Sequence, residues 1–314
     1  MARWQGAVSP KKVGRPPHSQ QELDLAKPRV IAVLQTLGYK VGKDTAKALL
    51  KDLPVRVISA LLKVLKAEHQ AELAERLKKN RIHVQVLTRE TLLAQDSTHT
   101  GSCKRHKAWA EQTKDAATLE AEAFGDGKPI TEDGMIEHLE VLKDRSNLPL
   151  VLATDNGSAY KSIKVADWLA KNQVIHLFSR PRTPTDNGRA ERGIGEGKGL
   201  AGLGKGVELE FAALGPLILD QALQRLNQYW PRKSKGGFTA AQLKHTLPHW
   251  QSKTSRSKFY KAACSAIKAV KADSKRVQRR EIREAIFRTL ESFGLILRSR
   301  GDLKPLPKIQ DRIS

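Results

Sequence analysis

The chain has 314 residues, and its 56 Lys and Arg against 33 Asp and Glu leave a net charge of +23. An excess that large points to a polyanionic partner, nucleic acid before an anionic membrane surface. No apolar stretch nears the roughly 20 residues that span a bilayer, there is no signal-peptide core, and the two cysteines, Cys103 and Cys264, cannot form a disulfide framework. The expectation is a protein of the bacterial cytoplasm, associated with the nucleoid and not with membrane. Aromatic residues make up 5% of the chain, too few for a protein living by base stacking on single strands.

Residues 1–20 read as a basic arm without periodicity. Lys11, Lys12 and Arg15 are its DNA-contact candidates, and Gly14-Arg15-Pro16-Pro17 has the form of a minor-groove hook. The same composition suits a solvated tail. Residues 21–84 carry three helical patterns. Val30, Ile31, Val33, Leu34 and Leu37 mark the first, which Gly38 stops. Ala46, Leu49, Leu50 and Leu53 mark the second. Pro54 opens the third, where its missing N–H costs little, and the stripe Val57, Ile58, Leu61, Leu62, Leu65 follows, with room to run on to Lys79. This spacing fits a helix-turn-helix DNA-binding module and any small helical bundle alike.

The segment 85–245 alternates strands and helices, the pattern of an α/β sheet. Ile82–Leu87 alternates weakly. Leu92-Leu93-Ala94-Gln95 leads to Asp96. Residues 107–122 have the alanine and glutamate of a helix but the position of second and third strands. Thr131 caps a helix through Met135, Ile136, Leu139 and Leu142. The apolar run 148–153 ends at Asp155, and a helix on Val165, Trp168 and Leu169 precedes the strand 174–178. Sites in open α/β sheets form at the carboxyl ends of strands. Asp96 and Asp155 sit there, and Glu191 opens the next helix with thirty-five residues between it and Asp155. Three carboxylates from two strand ends and a helix make an oxygen site for a hard cation, and paired Mg²⁺ ions suit phosphoryl transfer.

These words, Asp96-Ser97-Thr98-His99, Thr154-Asp155-Asn156-Gly157 and Asp186-Asn187-Gly188-Arg189-Ala190-Glu191, resemble the DDE integrase/transposase superfamily. The resemblance implies a ribonuclease-H-like mixed sheet flanked by helices, with Asp96, Asp155 and Glu191 as catalytic residues holding two Mg²⁺ or Mn²⁺ ions. It implies cleavage of double-stranded DNA and attack by the freed 3′-hydroxyl on target DNA, by a homo-multimer assembled on element ends. It also implies a DNA contact at Lys198, seven residues after Glu191. Asp115 competes with Asp96 for the first ligand. Arg182 and Arg192 flank the glutamate and are further DNA-contact candidates. The helix carrying Glu191 departs from the family in its glycines, among them Gly193, Gly195, Gly197 and Gly199, which leave it short, frayed or ordered only on DNA. His99, Cys103 and His106 could clamp zinc but lack a fourth ligand nearby, so a polar loop is the plainer reading. Two alternatives stand beside the transposase: a domesticated DNA-binding protein without turnover, and a ribonuclease-H-like nuclease that cuts without joining.

Residues 246–314 read as a basic helical appendage. From Gln251 onward there are seventeen Lys and Arg against six Asp and Glu. The run Lys275–Arg280 is densest, and Arg279 and Arg280 are its DNA-contact candidates. The stripe Ile282, Ala285, Ile286, Thr289, Leu290, Phe293 follows, closed by Gly294, and residues 295–298 suit a short strand.

Overall fold

The structure, a computed structural model, describes residues 19–80, 82–146, 148–180, 188–273 and 278–300. Lys11, Lys12, Arg15, Arg182 and the Asp186-Asn187 half of the second turn lie outside the described residues. The chain divides into two compact units, the first ending at Arg81 and the second running from Ile82 to Ser299.

The first unit is three helices. Ser19 accepts the N–H of Glu22 at 3.1 Å and so caps α1, Gln20–Leu37. Gly38 ends it at φ 83°, a conformation glycine adopts without strain. The helices α2, Lys43–Leu49, and α3, Val55–Asn80, follow. Ala26, Val30, Val33 and Leu34 of α1 pack with Ala46, Leu50 and the α3 stripe Val57, Ile58, Leu61, Leu62, Leu65. Thus the unit has a core of its own, built from most of the residues that the helical spacing selects; Leu37 and Leu49, at the ends of α1 and α2, are exposed instead.

The second unit is built on a five-stranded sheet. Its strands are β2, Leu92–Cys103, β3, His106–Asp115, β4, Ala121–Phe124, β5, Val151–Thr154, and β6, Ile175–Phe178. Their order is β4-β3-β2-β5-β6. The pairs β2–β3 and β3–β4 are antiparallel, and β2–β5 and β5–β6 are parallel. An antiparallel meander continued on one side by two parallel strands is the ribonuclease-H-like arrangement. The alanine- and glutamate-rich segment is therefore strand. In β3, Ala108 and every residue from Ala110 to Asp115 is buried, and that burial overrides helix propensity.

Helices cover both faces, which is why β5 is buried along its whole length. On one face α4, Glu132–Asp144, and α5, Ile163–Lys171, set Met135, Leu139, Val165 and Leu169 against Leu93 and Leu152. Thr131 caps α4 by accepting the N–H of Gly134. Beyond β6 come α6, Gly188–Ala201, α7, Leu214–Tyr229, and α8, Ala240–Thr246. Leu219, Leu223 and Leu226 of α7 close over Ala110 of β3 and Ala121 of β4.

The other face corrects the boundary at residue 246. Two long helices, α9, Arg256–Asp273, and α10, Arg279–Ser292, are part of the sheet's own core and not an appendage. Phe259, Ala263, Ile286, Phe287 and Leu290 pack with Leu92, Val151, Ala153, Ile175 and Leu177. The basic residues of this region occupy the outside of helices whose apolar stripes are buried. Finally β1, Ile82–Val86, pairs with β7, Ile296–Arg300, in a separate two-stranded sheet instead of joining the main one. Among the described residues no helix is long and apolar enough to cross a membrane.

A buried histidine makes this unit acid-sensitive. The His138 ring stacks on Phe124, with centroids 3.4 Å apart, and its Nε2 meets Thr113 Oγ1 at 3.1 Å. Burial, then the charge of Arg145, pushes its imidazole down to about 3. Glu122, 3.9 Å away, therefore faces a neutral ring. The unfolded chain binds a proton below the ordinary histidine value, but the folded chain does not. The stability His138 supports is thus full above pH ~6.5 and is lost as pH falls toward 3. At pH 4.5 the loss should reach about 2 kcal/mol. His138→Gln, which keeps a partner for Thr113, should flatten the decline in melting temperature from pH 7 to 4.5. An unchanged slope would remove His138 from the account. His176, half-buried and pushed down to about 4 by desolvation, supplies a residual decline of the same sign.

Candidate active site

The parallel register of β2 and β5 pairs Leu92 with Val151, Leu93 with Leu152 and Ala94 with Ala153. Two residues further along both strands come Asp96 and Asp155, on adjacent strands and at the same level. Asp96 is half-buried, and its Oδ1 accepts the N–H of Ser97 at 3.0 Å. Asp155 directly follows β5, and its Oδ1 accepts the N–H of Gly157 at 2.8 Å. That bond is the Asx-type turn that an Asp-Asn-Gly sequence favours. Burial, then the negative charge of Asp155, pushes the Asp96 carboxyl up to about 7, with smaller contributions from Glu111 and Glu191. Asp155, Glu111 and Glu191 therefore all act on Asp96.

Glu191 lies in the first turn of α6 and is exposed. Among the described residues, no three His, Cys, Asp or Glu side chains gather closely enough to hold a metal ion. Asp96 and Asp155 sit close enough to interact, and the charge of Glu191 reaches Asp96 as well. The negative charge of Asp155 raises the proton affinity of Asp96, and a cation bound there would offset that repulsion. The zinc set is likewise absent among the described residues: Cys103 and His106 are partners across the β2–β3 hairpin.

Asp115 does not compete with Asp96. It pairs with Leu93, and its carboxylate accepts the N–H groups of Glu90 and Ala117, both at 2.6 Å, and of Thr118 at 3.4 Å. Burial pushes it up to about 6. It pins the β3–β4 turn to the residues leading into β2.

The sequence reading missed Glu111. This carboxylate is 2% exposed and stands opposite Ser97 on β3. It accepts from the hydroxyls of Ser97 and Tyr160, and burial pushes its carboxyl up. Gln112, the cross-strand partner of Asp96, is fully buried, and neither end of its amide has a hydrogen-bond partner among the described residues. Buried polar groups are rarely left so. A charge placed mid-strand was the available signal, but it lay in the segment whose helix-like composition hid the strand.

The remaining candidates divide into braces and exposed cations. Lys198 donates to the His99 carbonyl at 2.7 Å and the Thr98 hydroxyl at 3.3 Å. It tethers α6 to β2, and burial lowers its affinity for the proton. Arg279 is also engaged within the fold. Its guanidinium donates to the Asn156 side chain and, at 2.9 Å, to the Ser179 carbonyl, and it lies 5.5 Å from the Phe178 ring. Asn156 donates to that same carbonyl at 3.0 Å. Arg279 and Asn156 thus lock the turn after Asp155 to the end of β6. Arg192 and Arg280 are exposed.

The glycines of α6 have a packing cause. The helix is continuous over 14 residues. A Cβ on Gly193 would lie 2.5 Å from Gln112 Nε2 and 2.9 Å from Lys114 Nζ, and one on Gly197 would lie 2.8 Å from Leu223. Spaced by four, these two face inward and let α6 approach β3 and α7. Gly195 and Gly199 face open space.

No family model matches the sequence, and no curated protein matches it. Solved structures similar to the chain include the HTLV-2 integrase catalytic core domain in complex with magnesium. It is 21% identical over 51% of this chain and 100% of that one, at a TM-score of 0.39. A simian T-cell lymphotropic virus intasome is 22% identical over 59% and 70%, at 0.42. The BIV integrase catalytic core domain is 20% identical over 50% and 94%, at 0.38. Strand order and direction, rather than these scores, carry the fold assignment: the chain contains a ribonuclease-H-like core.

Proposed function

We propose that the chain is a DDE-type polynucleotidyl transferase, a transposase or integrase that cuts double-stranded DNA and joins a freed 3′-hydroxyl to a target. What supports this reading is the placement of Asp96 and Asp155 just beyond the last paired residues of the adjacent parallel strands β2 and β5, where the charge of Asp155 opposes ionisation of Asp96. The donors are carboxylate oxygens, which fit Mg²⁺ or Mn²⁺, since such ions take one or two carboxylates and leave positions for phosphate. Bound there, two ions would activate the attacking oxygen and stabilise the leaving one. Asp96 and Asp155 are the holding residues, and Glu191 is the third, drawn in from the first turn of α6 as the charge is neutralised. Asn156 and Arg279 hold the Asp155 turn in place, and Lys198 holds α6 against β2. Arg182, Arg192, Arg280 and the arm residues Lys11, Lys12 and Arg15 track phosphates. The three-helix unit binds element ends, and a homo-multimer in the bacterial cytoplasm brings two ends together.

One observation favours a second reading, a DNA-binding protein that keeps the fold without turnover: no three His, Cys, Asp or Glu side chains among the described residues gather closely enough to hold a metal ion. Incubating the full chain with duplexes carrying its flanking genomic repeats, with Mg²⁺ or Mn²⁺, separates the two. Metal-dependent nicks and joined products are expected. Asp155→Asn should lower their rate by about three orders of magnitude, the equivalent of several kcal/mol of transition-state stabilisation. Binding without cleavage by either protein would establish the second reading. Cleavage without joining would leave a nuclease.

A further inference from the structure

The hairpin of β2 and β3 outgrows the sheet. Its pairing with β5 stops at Ala94, yet β2 continues to Cys103, past Asp96 and in the direction of the carboxyl ends of β5 and β6. The hairpin therefore rises from the end of the sheet that bears Asp96 and Asp155. It is held upright from behind. Lys198 grips the backbone at His99, Ser102 donates to Val207 at 2.8 Å, and Leu209 donates back to Ser102 at 2.7 Å.

The tip is Lys104-Arg105, closed by the pair Cys103–His106. Both central residues have positive φ, 49° and 69°. That is the type I′ form, which asparagine and glycine adopt readily and long side chains do not. Lys104, Arg105, His106 and Lys107 are all exposed, and among the described residues none has an ion-pair partner. The turn thus holds two cations where its own geometry favours Asn-Gly, at the far end of a hairpin that passes through Asp96.

We infer that the tip of the β2–β3 hairpin, Lys104, Arg105 and Lys107, is a second DNA phosphate contact, some distance along the duplex from the acidic pair. The inference rests on the proposed DNA reaction. Lys104 lies eight residue steps beyond Asp96, roughly 25 Å along the strand. That span places the contact roughly seven base pairs from the phosphate at Asp96, given ~3.4 Å per step.

The test uses the full chain and a labelled mixed-sequence duplex, with affinity measured across a salt series. Lys104→Asn/Arg105→Gly suits the turn, so its melting temperature should equal or exceed the parent's. Its affinity should nevertheless fall about tenfold, and its log–log salt slope should shrink by about two, one for each lost phosphate contact. The charge-keeping pair Lys104→Arg/Arg105→Lys should bind as the parent does. Equal affinity and slope in the Asn-Gly variant would overturn the hairpin contact and leave the proposed function standing. A parent that binds no duplex would overturn both. A variant with unchanged DNA binding but altered oligomeric state would overturn the DNA contact in favour of a second copy of the chain.

Discussion

Replacing Asp96 with asparagine is expected to make the protein more stable and, at the same time, to abolish metal-dependent cleavage. In the folded chain burial and Asp155 push the Asp96 carboxyl up to about 7, against an ordinary value near 3.8. Ionising it is therefore harder in the folded state than in the unfolded one. Its contribution turns against folding as pH rises from about 4 to about 7 and stays unfavourable above that. Three units would correspond to about 4 kcal/mol as a ceiling. Because Asp96 is only half-buried, a gain of about 1–2 kcal/mol at pH 8 is the expectation. For a unit of this size that is about 2–6 °C in melting temperature. Asparagine can still accept the N–H of Ser97, so that hydrogen bond survives. The gain should vanish below pH 4, where the parent's carboxyl is protonated in both states. Mg²⁺ should raise the parent's melting temperature and leave the variant's unchanged, because only the parent offers a paired anionic site. A variant less stable than the parent at pH 8 would show that the carboxylate is not under the strain argued for it.

The parts of this site that could be read from the sequence are those where local chemistry dictates local structure. An apolar run followed by Asp-Asn-Gly dictates a strand ending in a side-chain-capped turn, and Asp155 occupies that turn. The helix stripes of the first unit were legible for the same reason: spacing alone selected Val30, Leu34, Ile58 and Leu62 as its core. Glu111 was not legible. Its role depends on Ser97 and Tyr160, fourteen and forty-nine residues away, and on β3 being a strand despite its composition. Lys198 and Arg279 were visible only as cations. Which carbonyls they reach depends on how α6 and α10 pack, and no spacing rule encodes that. The C-terminal region misleads in a similar way. The charge on its outer faces suggests an appendage, and only the packing of Phe259, Ile286 and Leu290 against β5 and β6 shows that those helices complete the core.

The glycines of α6 yield the last and most discriminating expectation. If they mark a helix that frays, alanine at each of them should stabilise it about equally, by up to ~1 kcal/mol each. The packing says otherwise. Gly193→Ala would drive a methyl to within 2.5 Å of Gln112 and 2.9 Å of Lys114. Both side chains are nearly inaccessible beneath the helix, at 0% and 4% exposure, so moving either one means repacking buried surface. Overpacking of that kind costs about 1–3 kcal/mol, so after the helix-propensity gain a net loss of about 1–2 kcal/mol is expected. Gly195→Ala and Gly199→Ala meet nothing within 4 Å and should each gain up to ~1 kcal/mol. Chemical denaturation of the three single variants reads the sign directly. Stabilisation by all three would mean that α6 does not rest on β3. A loss at Gly193 alone would mean that it does, and the consequence reaches the chemistry, because Gly193 is two residues from Glu191. The glycine that lets α6 sit this low on the sheet also sets the height of the helical turn that carries Glu191.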